Sequence, residues 1–289
     1  PGRMHACGHD AHTAMLLAVA EHITENLENL PHNVLLIFEP AEETDGGAKL
    51  ICDSGILEEK NVSAVFGIHM WPGLPAGAVA SREKELMAQS SEVSVSFFGR
   101  SAHVAKAEEG ADALLAGTRF LLAAYAAGKE IAPPDCLRLL KFGRMESGKA
   151  SNIISNHAEL LGTVRVFSPA LMERIQSKLR ELAAQVAAET GCTAEITFSQ
   201  GYPPVINDPE LLRRVRAWIG PDLLELPEPF MTAEDFSFYG QRKPAVFFML
   251  GTGRDIPLHS AEFSFDETAL VSGMEFYKKL IRLPALSRH

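Results

Sequence analysis

Three continuous apolar runs, Val34–Phe38, Ala64–Ile68 and Ala245–Leu250, set what this chain can fold into. Runs of this kind are expected of strands buried on both faces of a parallel sheet. Each stops at chemistry: Pro40 ends the first and Glu42-Glu43 follow it, and His69 ends the second. The third leads through Gly251-Thr252-Gly253 into a loop that carries His259. In open α/β sheets, ligands bind outside the carboxyl ends of the strands. Three separate strands are therefore expected to deliver acidic and imidazole groups to one edge.

A fourth place joins them. His5-Ala6-Cys7-Gly8-His9-Asp10-Ala11-His12 crowds three imidazoles, a thiol and a carboxylate into eight residues. Cysteine and histidine are common ligands of soft and borderline metals, and no core needs them in this density. The bland alternative for this segment is a polar helix start with incidental histidines. For Glu42-Glu43 it is a solvated helix start, since acids favour N-termini. Taken together, the four places read as one metal site.

The bulk properties narrow the class. A chain of 289 residues with 46% hydrophobic residues can bury a sizeable core as one large or two smaller domains. Its longest apolar runs are far short of a membrane span. A net charge of −10 leaves no basic stripe for phosphates and argues against nucleic acid. Cys7, Cys52, Cys136 and Cys192 are scattered, without a C-x-x-C pair. No signal peptide is visible, so a reducing cytoplasm is the expected compartment.

Along the chain, residues 13–29 read as a helix and 46–54 as a short one closed by Gly55, with a strand at 76–80. From about Met87 the character changes: Glu92–Phe98 alternates like a half-exposed antiparallel strand. A helix at 111–127, strands at 137–142 and 159–166, a long helix at 169–190 and a strand at 193–198 follow. The order βαββαβ is the ferredoxin-like split unit. Helices at 209–219 and 233–239, the Ala245 strand and a terminal helix at 267–283 complete the chain. The pattern predicts an α/β catalytic domain (1–86 and 201–289) interrupted by an inserted α+β lid (87–200).

The motifs also resemble a family. M-H-A-C-G-H-D-A-H-T (Met4–Thr13), F-E-P-A-E-E (Phe38–Glu43), G-I-H-M-W-P-G (Gly67–Gly73) and G-R-S-A-H (Gly99–His103) come first. S-N-I-I-S-N (Ser151–Asn156), G-T-V-R (Gly162–Arg165), T-A-E-D-F (Thr232–Phe236) and P-L-H-S (Pro257–Ser260) follow in order. The set is similar to that of the metal-dependent N-acyl-amino-acid amidohydrolases, which include hippurate hydrolase, auxin-conjugate hydrolase and N-acetyldiaminopimelate deacetylase. The family carries roughly a hundred further residues upstream, a large share of one domain on ordinary domain sizes. On that comparison the chain, which opens on Pro1-Gly2-Arg3, is expected to be a fragment or a processed piece.

The resemblance implies a zinc-peptidase-like catalytic domain with a mostly parallel central sheet, and a lid that also dimerises. It implies that Cys7, His9, Glu43, His69 and His259 bind two divalent ions, with the Cys7 thiolate bridging them. Zinc or manganese is expected, zinc slightly ahead, with cobalt and nickel also suited to thiolate and imidazole. Glu42 is then left to act as general base. His103 would hydrogen-bond the developing oxyanion, often in the partner subunit's site. Asn152 and Arg165 would hold the substrate's α-carboxylate, although Arg165 reads equally as a surface charge. Asp10 is expected to orient a ligand histidine. His12 could do likewise or be an ordinary helix residue, and His5 and Glu234-Asp235 receive no chemical step.

The implied reaction is hydrolysis of the amide bond of N-acyl amino acids, a small-molecule substrate, by a homodimer. Within enzymes the alternatives are a dedicated N-acetyldiaminopimelate deacetylase or a small-peptide carboxypeptidase. Outside them the alternative is a catalytically inactive metal-binding fragment, which Glu42 argues against, since a storage site has no use for a base beside its ligands. The chain has no H-E-x-x-H, no G-x-S-x-G elbow and no zinc-deaminase signature.

Overall fold

The computed structural model describes residues 2–44 and 46–284. The chain forms two compact units. The first runs to Leu86, resumes at Val205–Pro229 and continues from Glu234, and the second comprises Met87–Pro204 and Phe230–Ala233. In chain order, α1 (His9–Glu25), α2 (Gly47–Asp53), α3 (Ile56–Glu59), β1 (Val65–Trp71), β2 (Val79–Ser81) and β3 (Lys84–Met87) come first. β4 (Gln89–Phe98), α4 (Ala113–Glu130), β5 (Arg138–Ser147), β6 (His157–Val166), α5 (Pro169–Thr190) and β7 (Thr193–Phe198) follow. The last set is β8 (Val205–Asn207), α6 (Pro209–Ile219), β9 (Leu223–Glu225), α7 (Ser237–Gly240), β10 (Ala245–Gly251) and α8 (Thr268–Leu280).

The first unit is built on a sheet of order β1-β10-β2-β9. β1 and β10 are parallel, as are β2 and β9, while β10 and β2 are antiparallel. All seven residues of β10 are buried, because helices cover both faces. Val246, Phe248 and Leu250 join Met15 of α1, Leu212 of α6 and Phe276 of α8 in one core. Phe247 points the other way and packs on Phe236 with ring centroids 4.6 Å apart. Burying each of these large side chains contributes roughly 1.5–3 kcal/mol. In the parallel register His69 faces Met249 and Trp71 faces Gly251, so β1 and β10 end at the same edge, as the sequence predicts.

The second unit is a four-stranded antiparallel sheet of order β5-β6-β4-β7 with α4 and α5 packed on it, the βαββαβ arrangement expected. Asp112 caps α4 by accepting the amides of Leu114 and Leu115. α4 buries Ala113, Ala116, Gly117, Phe120 and Ala124 on one face and leaves Leu114, Leu115 and Leu122 exposed. α5 begins on Ser168-Pro169 and stops at Gly191 with φ +68°.

Three expectations change. The helix expected at 233–239 is only the single turn of α7, Ser237–Gly240. α1 starts four residues earlier than position 13, at His9, because Gly8 adopts the left-handed backbone (φ +85°) that turns the chain into the helix. Val34–Phe38 forms no ladder among the described residues, and its Leu35 and Phe38 are exposed. Together with Val65–His69 of β1 it lines a cleft of about 980 Å³. An apolar run reports that its side chains favour leaving water. A ladder also needs a neighbouring backbone in register, which no local pattern encodes.

The exit of β10 shows how tightly the edge is built. A Cβ on Gly251 would come 1.9 Å from the Pro75 carbonyl oxygen and 2.9 Å from the Leu74 carbonyl carbon, both backbone. Gly251→Ala is expected to destabilise by roughly 1–3 kcal/mol, the ordinary cost of overpacking. Thermal unfolding reads this as a Tm several degrees lower; an unchanged Tm would show that the 74–75 backbone gives way at no cost.

Candidate metal centre

The edge where β1 and β10 end gathers the predicted donors. The loop before α1 brings Cys7 under the end of β1, and Gly8 lets it do so: a Cβ there would lie 3.1 Å from the Met70 side chain. Cys7 is buried, and its Sγ is 3.4 Å from Nε2 of buried His69. His69 Nδ1 lies 2.7 Å from the Met70 carbonyl and donates to it, so Nε2 is the nitrogen with a free lone pair. His9, the first residue of α1, places Nε2 3.8 Å from Glu42 and 3.7 Å from Glu43. His259 Nε2 is 3.5 Å from Glu43, and the His259 amide donates to the Ala6 carbonyl at 2.7 Å, which ties its loop to the Cys7 segment.

These donors form two triads, Cys7–His9–His69 and Cys7–Glu43–His259, each with ligand atoms within 4.8 Å of one another. Cys7 is common to both. Met4, His5, Ala6, Ala41 and Thr44 complete the lining of a cavity of about 490 Å³ around Cys7, His9, Glu42, Glu43 and His259. His5 is exposed and belongs to neither triad.

The spacing fits divalent ions. Imidazole–carboxylate separations of 3.5–3.8 Å are too long for hydrogen bonds. Two donors each about 2.1 Å from one tetrahedral ion stand about 3.4 Å apart. The electrostatics fit as well. Burial, with the carboxylates of Glu43 and Glu42, pushes the Cys7 thiol far above its ordinary range. Burial lowers His9 and takes His69 down to about 4, so both imidazoles are neutral at pH 7. Burial, then Asp235 and Glu43, raises Glu42 to about 7. A divalent cation stabilises a thiolate and carboxylates and takes neutral imidazole as ligand, so it answers every one of these shifts.

The backbone at the site is strained where it carries the donors. Ala41 has φ +63° and His259 φ +64°, two of the four non-glycine residues with positive φ among the described residues. The turn holding Glu42 and Glu43 closes on one acceptor, because the amides of Thr44 and Gly46 both donate to the Ala41 carbonyl.

Sequence reasoning placed some residues incorrectly and missed others. Asp10 is exposed in the first turn of α1 and, among the described residues, makes no hydrogen bond to a histidine. One residue beyond His9 it lies about 100° further round the helix and faces away. The orienting acceptor for His69 is instead the backbone of Met70, which no side-chain motif announces. His12 stands beside the site: its Nε2 accepts the Met70 amide at 2.9 Å, and its ring meets that of His69 edge-on with centroids 4.6 Å apart. Glu39, Glu234, Asp235 and Tyr239 were also missed as a group. Glu234 and Asp235 are buried and lie with Glu42 in a further cluster of possible ligand atoms, while His9, Glu42 and Glu43 form another. The sequence signal was present in the acid that ends the first apolar run and in E-D-F followed by a tyrosine.

The second unit holds the remaining predicted residues. His103 precedes a short 3-10 turn and is exposed; its Nδ1 accepts the Ala105 amide at 3.2 Å, which leaves Nε2 to carry the proton. The Asn152 carbonyl accepts the Val104 amide, and Ile153 bridges His103, so His103 and Asn152 are neighbours. Arg165 sits on β6 with Nε 3.3 Å from Thr163 Oγ1 and its guanidinium 3.9 Å from exposed Glu92.

Comparison with known proteins agrees with this construction. The model of peptidase family M20/M25/M40 matches residues 1–283. An N-acetyldiaminopimelate deacetylase of Streptococcus uberis is 36% identical over 284 residues, covering 97% of this chain and 75% of that protein. An uncharacterized hydrolase of Staphylococcus haemolyticus is 35% identical, covering 96% of this chain and 76% of its own length. Among solved structures, the Bacillus subtilis YXEP protein, a dinuclear metal binding peptidase from the M20 family, superposes with a TM-score of 0.79. It is 28% identical and covers 96% of this chain and 72% of that one. With its fold, its donor cluster and its sequence in agreement, the chain belongs to peptidase family M20/M25/M40 and is a hydrolase of that family.

Proposed function

We propose that this hydrolase cleaves the amide bond of N-acyl amino acids with the help of two divalent metal ions, zinc or manganese first, cobalt or nickel also accommodated. The observation that supports the reading is the pair of donor triads meeting at Cys7, with Glu42 outside both but clustered with His9 and Glu43 on one side and with Glu234 and Asp235 on the other. In this assignment Cys7 would be shared between the two ligand sets, which His9, His69, Glu43 and His259 would complete. The YXEP neighbour's two metals support the count.

Bound divalent ions supply Lewis acidity, making a water more acidic and polarising the scissile carbonyl. Glu42, raised to about 7 by burial, Asp235 and Glu43, is poised to take that water's proton at neutral pH. It then returns the proton to the leaving amine nitrogen as the C–N bond breaks, releasing a carboxylate and a free amino acid. His103 is assigned to the oxyanion, because its Nδ1 is engaged by Ala105 and its Nε2–H is the donor left. Asn152 and Arg165 are assigned to the substrate's α-carboxylate. Arg165 has only a long contact to exposed Glu92 to give up, worth little in water.

The similarity to N-acetyldiaminopimelate deacetylases at 35–36% identity makes that substrate the first alternative. A second copy of the chain joined through the second unit is part of the proposal: α4 exposes Leu114, Leu115 and Leu122, and β5 and β7 end the sheet. No helix among the described residues is long and apolar enough to cross a membrane. A reducing cytoplasm suits four free cysteines, one of which must act as a thiolate.

Turnover of N-acetyl and N-benzoyl amino acids and of N-acetyldiaminopimelate by the zinc- or manganese-loaded protein tests the reading. No turnover of any of them would leave the inactive metal-binding alternative. Cys7→Ala is expected to lose at least one ion per chain by elemental analysis; retained metal and activity would remove the bridging role. Glu42→Gln should keep its metal while kcat falls by at least ~10²-fold. Because kcat needs Glu42 ionised, it rises with pH. Adjacent cations favour the ionised form, so the acid limb should lie at or below about 7 and vanish in Glu42→Gln. Glu43→Gln should lose metal instead, and equal metal loss in both would reverse the two acids. His103→Ala should cut kcat by roughly 10²–10³-fold with a smaller rise in KM. A change confined to KM would make His103 a ground-state contact.

A further inference from the structure

Glu39 stands at the entrance of the turn that carries Glu42 and Glu43, and the chemistry above does not use it. Its Oε2 accepts the Tyr239 hydroxyl at 2.7 Å. Burial first, then the neighbouring Asp235 carboxyl, raises the Glu39 carboxyl to about 8. Asp235 is fully buried, and its Oδ2 accepts the amide of Ala48 at 3.0 Å, in the first turn of α2 at the far end of the same segment. Glu39 Oε1 and Asp235 Oδ1 are both buried without a donor among the described groups. One proton shared between these two carboxyls would satisfy both.

With a proton shared between the two carboxyls, Ala48, Asp235, Glu39 and Tyr239 would join the two ends of the turn. The ends are also pressed together: a Cβ on Gly47 would come 2.1 Å from the Pro40 carbonyl oxygen and 2.9 Å from the Glu39 side chain. Between them Ala41 is held at φ +63°, a backbone that persists only where the surroundings over-determine it. Tyr239 and Asp235 come from the segment that begins at the T-A-E-D-F motif, which has no other assigned task.

We propose that Tyr239, Asp235 and Glu39 are positioning residues that clamp the neck of the Glu42–Glu43 turn, so that the placement of both acids depends on this hydrogen-bonded chain. The proposal rests on reading Glu43 as a ligand and Glu42 as the base. The clamp needs hydrogen bonds rather than charge at position 39. A glutamine there keeps the acceptor for Tyr239 and supplies an amide donor to Asp235, without a shared proton.

The test compares wild type, Tyr239→Phe, Glu39→Ala and Glu39→Gln. Three quantities are read: zinc affinity of the metal-free protein by competition with a chromophoric chelator, kcat and KM for an N-acetyl amino acid at saturating zinc, and Tm of the metal-free form. Tyr239→Phe and Glu39→Ala are expected to weaken zinc binding and lower kcat by about 10–100-fold, with KM within about twofold, and Glu39→Gln to restore both. A lower Tm with zinc affinity and kcat per folded molecule unchanged would mean that these residues only stabilise the fold, and it overturns the clamp. So does a loss in Glu39→Ala that Glu39→Gln fails to rescue. Should Glu39→Ala not fold, Tyr239→Phe, which removes a single hydroxyl, decides by the same readouts. If the wild type turns over no N-acyl amino acid while the zinc pattern holds, the proposed reaction fails and the clamp stands. If turnover is present but the variants leave zinc affinity and kcat unchanged, the reaction stands and the clamp fails.

Discussion

Burial of ionisable groups around one sulfur is the constraint on which the rest of the site depends. Cys7 and His69 sit below the surface at the ends of an α/β sheet. Burial is the first cause of the raised Cys7 thiol, the raised Glu42 carboxyl and the lowered His9 and His69 imidazoles. Without a cation such a cluster keeps its charge low by holding protons on sulfur and oxygen and none on the imidazoles. A divalent ion turns the same burial into an advantage. Water competes poorly for the ligands, and each donor is already in the protonation state from which it binds or needs to lose one proton to do so. The fold's task is to make that burial affordable, and β10, buried over its whole length, does it by anchoring the edge.

The precision of the site comes from backbone as much as from side chains. Met70 uses both its main-chain groups, the carbonyl fixing the tautomer of His69 and the amide held by His12. Gly8 brings the Cys7 loop against the Met70 side chain, and the His259 amide fastens its loop to Ala6. Among the described residues, two of the four non-glycine positive-φ positions, Ala41 and His259, lie where acids and imidazole must be aimed. Strain at these points is held by neighbouring hydrogen bonds, which is how a loop can place a ligand as closely as a strand does.

Much of this was legible in the sequence, and for identifiable reasons. β1 and β10 read as strands because continuous apolar runs favour a sheet covered on both faces, and β4 read as antiparallel because Glu92–Phe98 alternates. Cys7, His9, Glu42, Glu43, His69 and His259 were legible because donor chemistry recurs where strands end, and the structure does bring them together. Val34–Phe38 was misread because hydrophobicity predicts burial but not a partner in register. Asp10 was misread because adjacency in sequence is not adjacency around a helix. Glu39, Asp235 and Tyr239 each carried a local signal, but their grouping did not, because they come from segments some two hundred residues apart and only the fold makes them neighbours.

The donor cluster is unevenly supported. Cys7 and His69 are buried, with His69 on a strand and its ring fixed by a 2.7 Å contact to its own neighbour's carbonyl. Glu43 and His259 are exposed and sit on loops, with side chains 47% and 65% accessible. One triad is thus set by the core, while the other is set by turns whose geometry must be enforced locally, by the Ala41 acceptor and the contacts at the neck of the Glu42–Glu43 turn. Cys7 belongs to both, so its sulfur couples a rigid half to a softer one. Anything that moves the α1 entrance or the end of β1 acts on both halves at once, whereas a disturbance of the 39–48 segment reaches only the carboxylates.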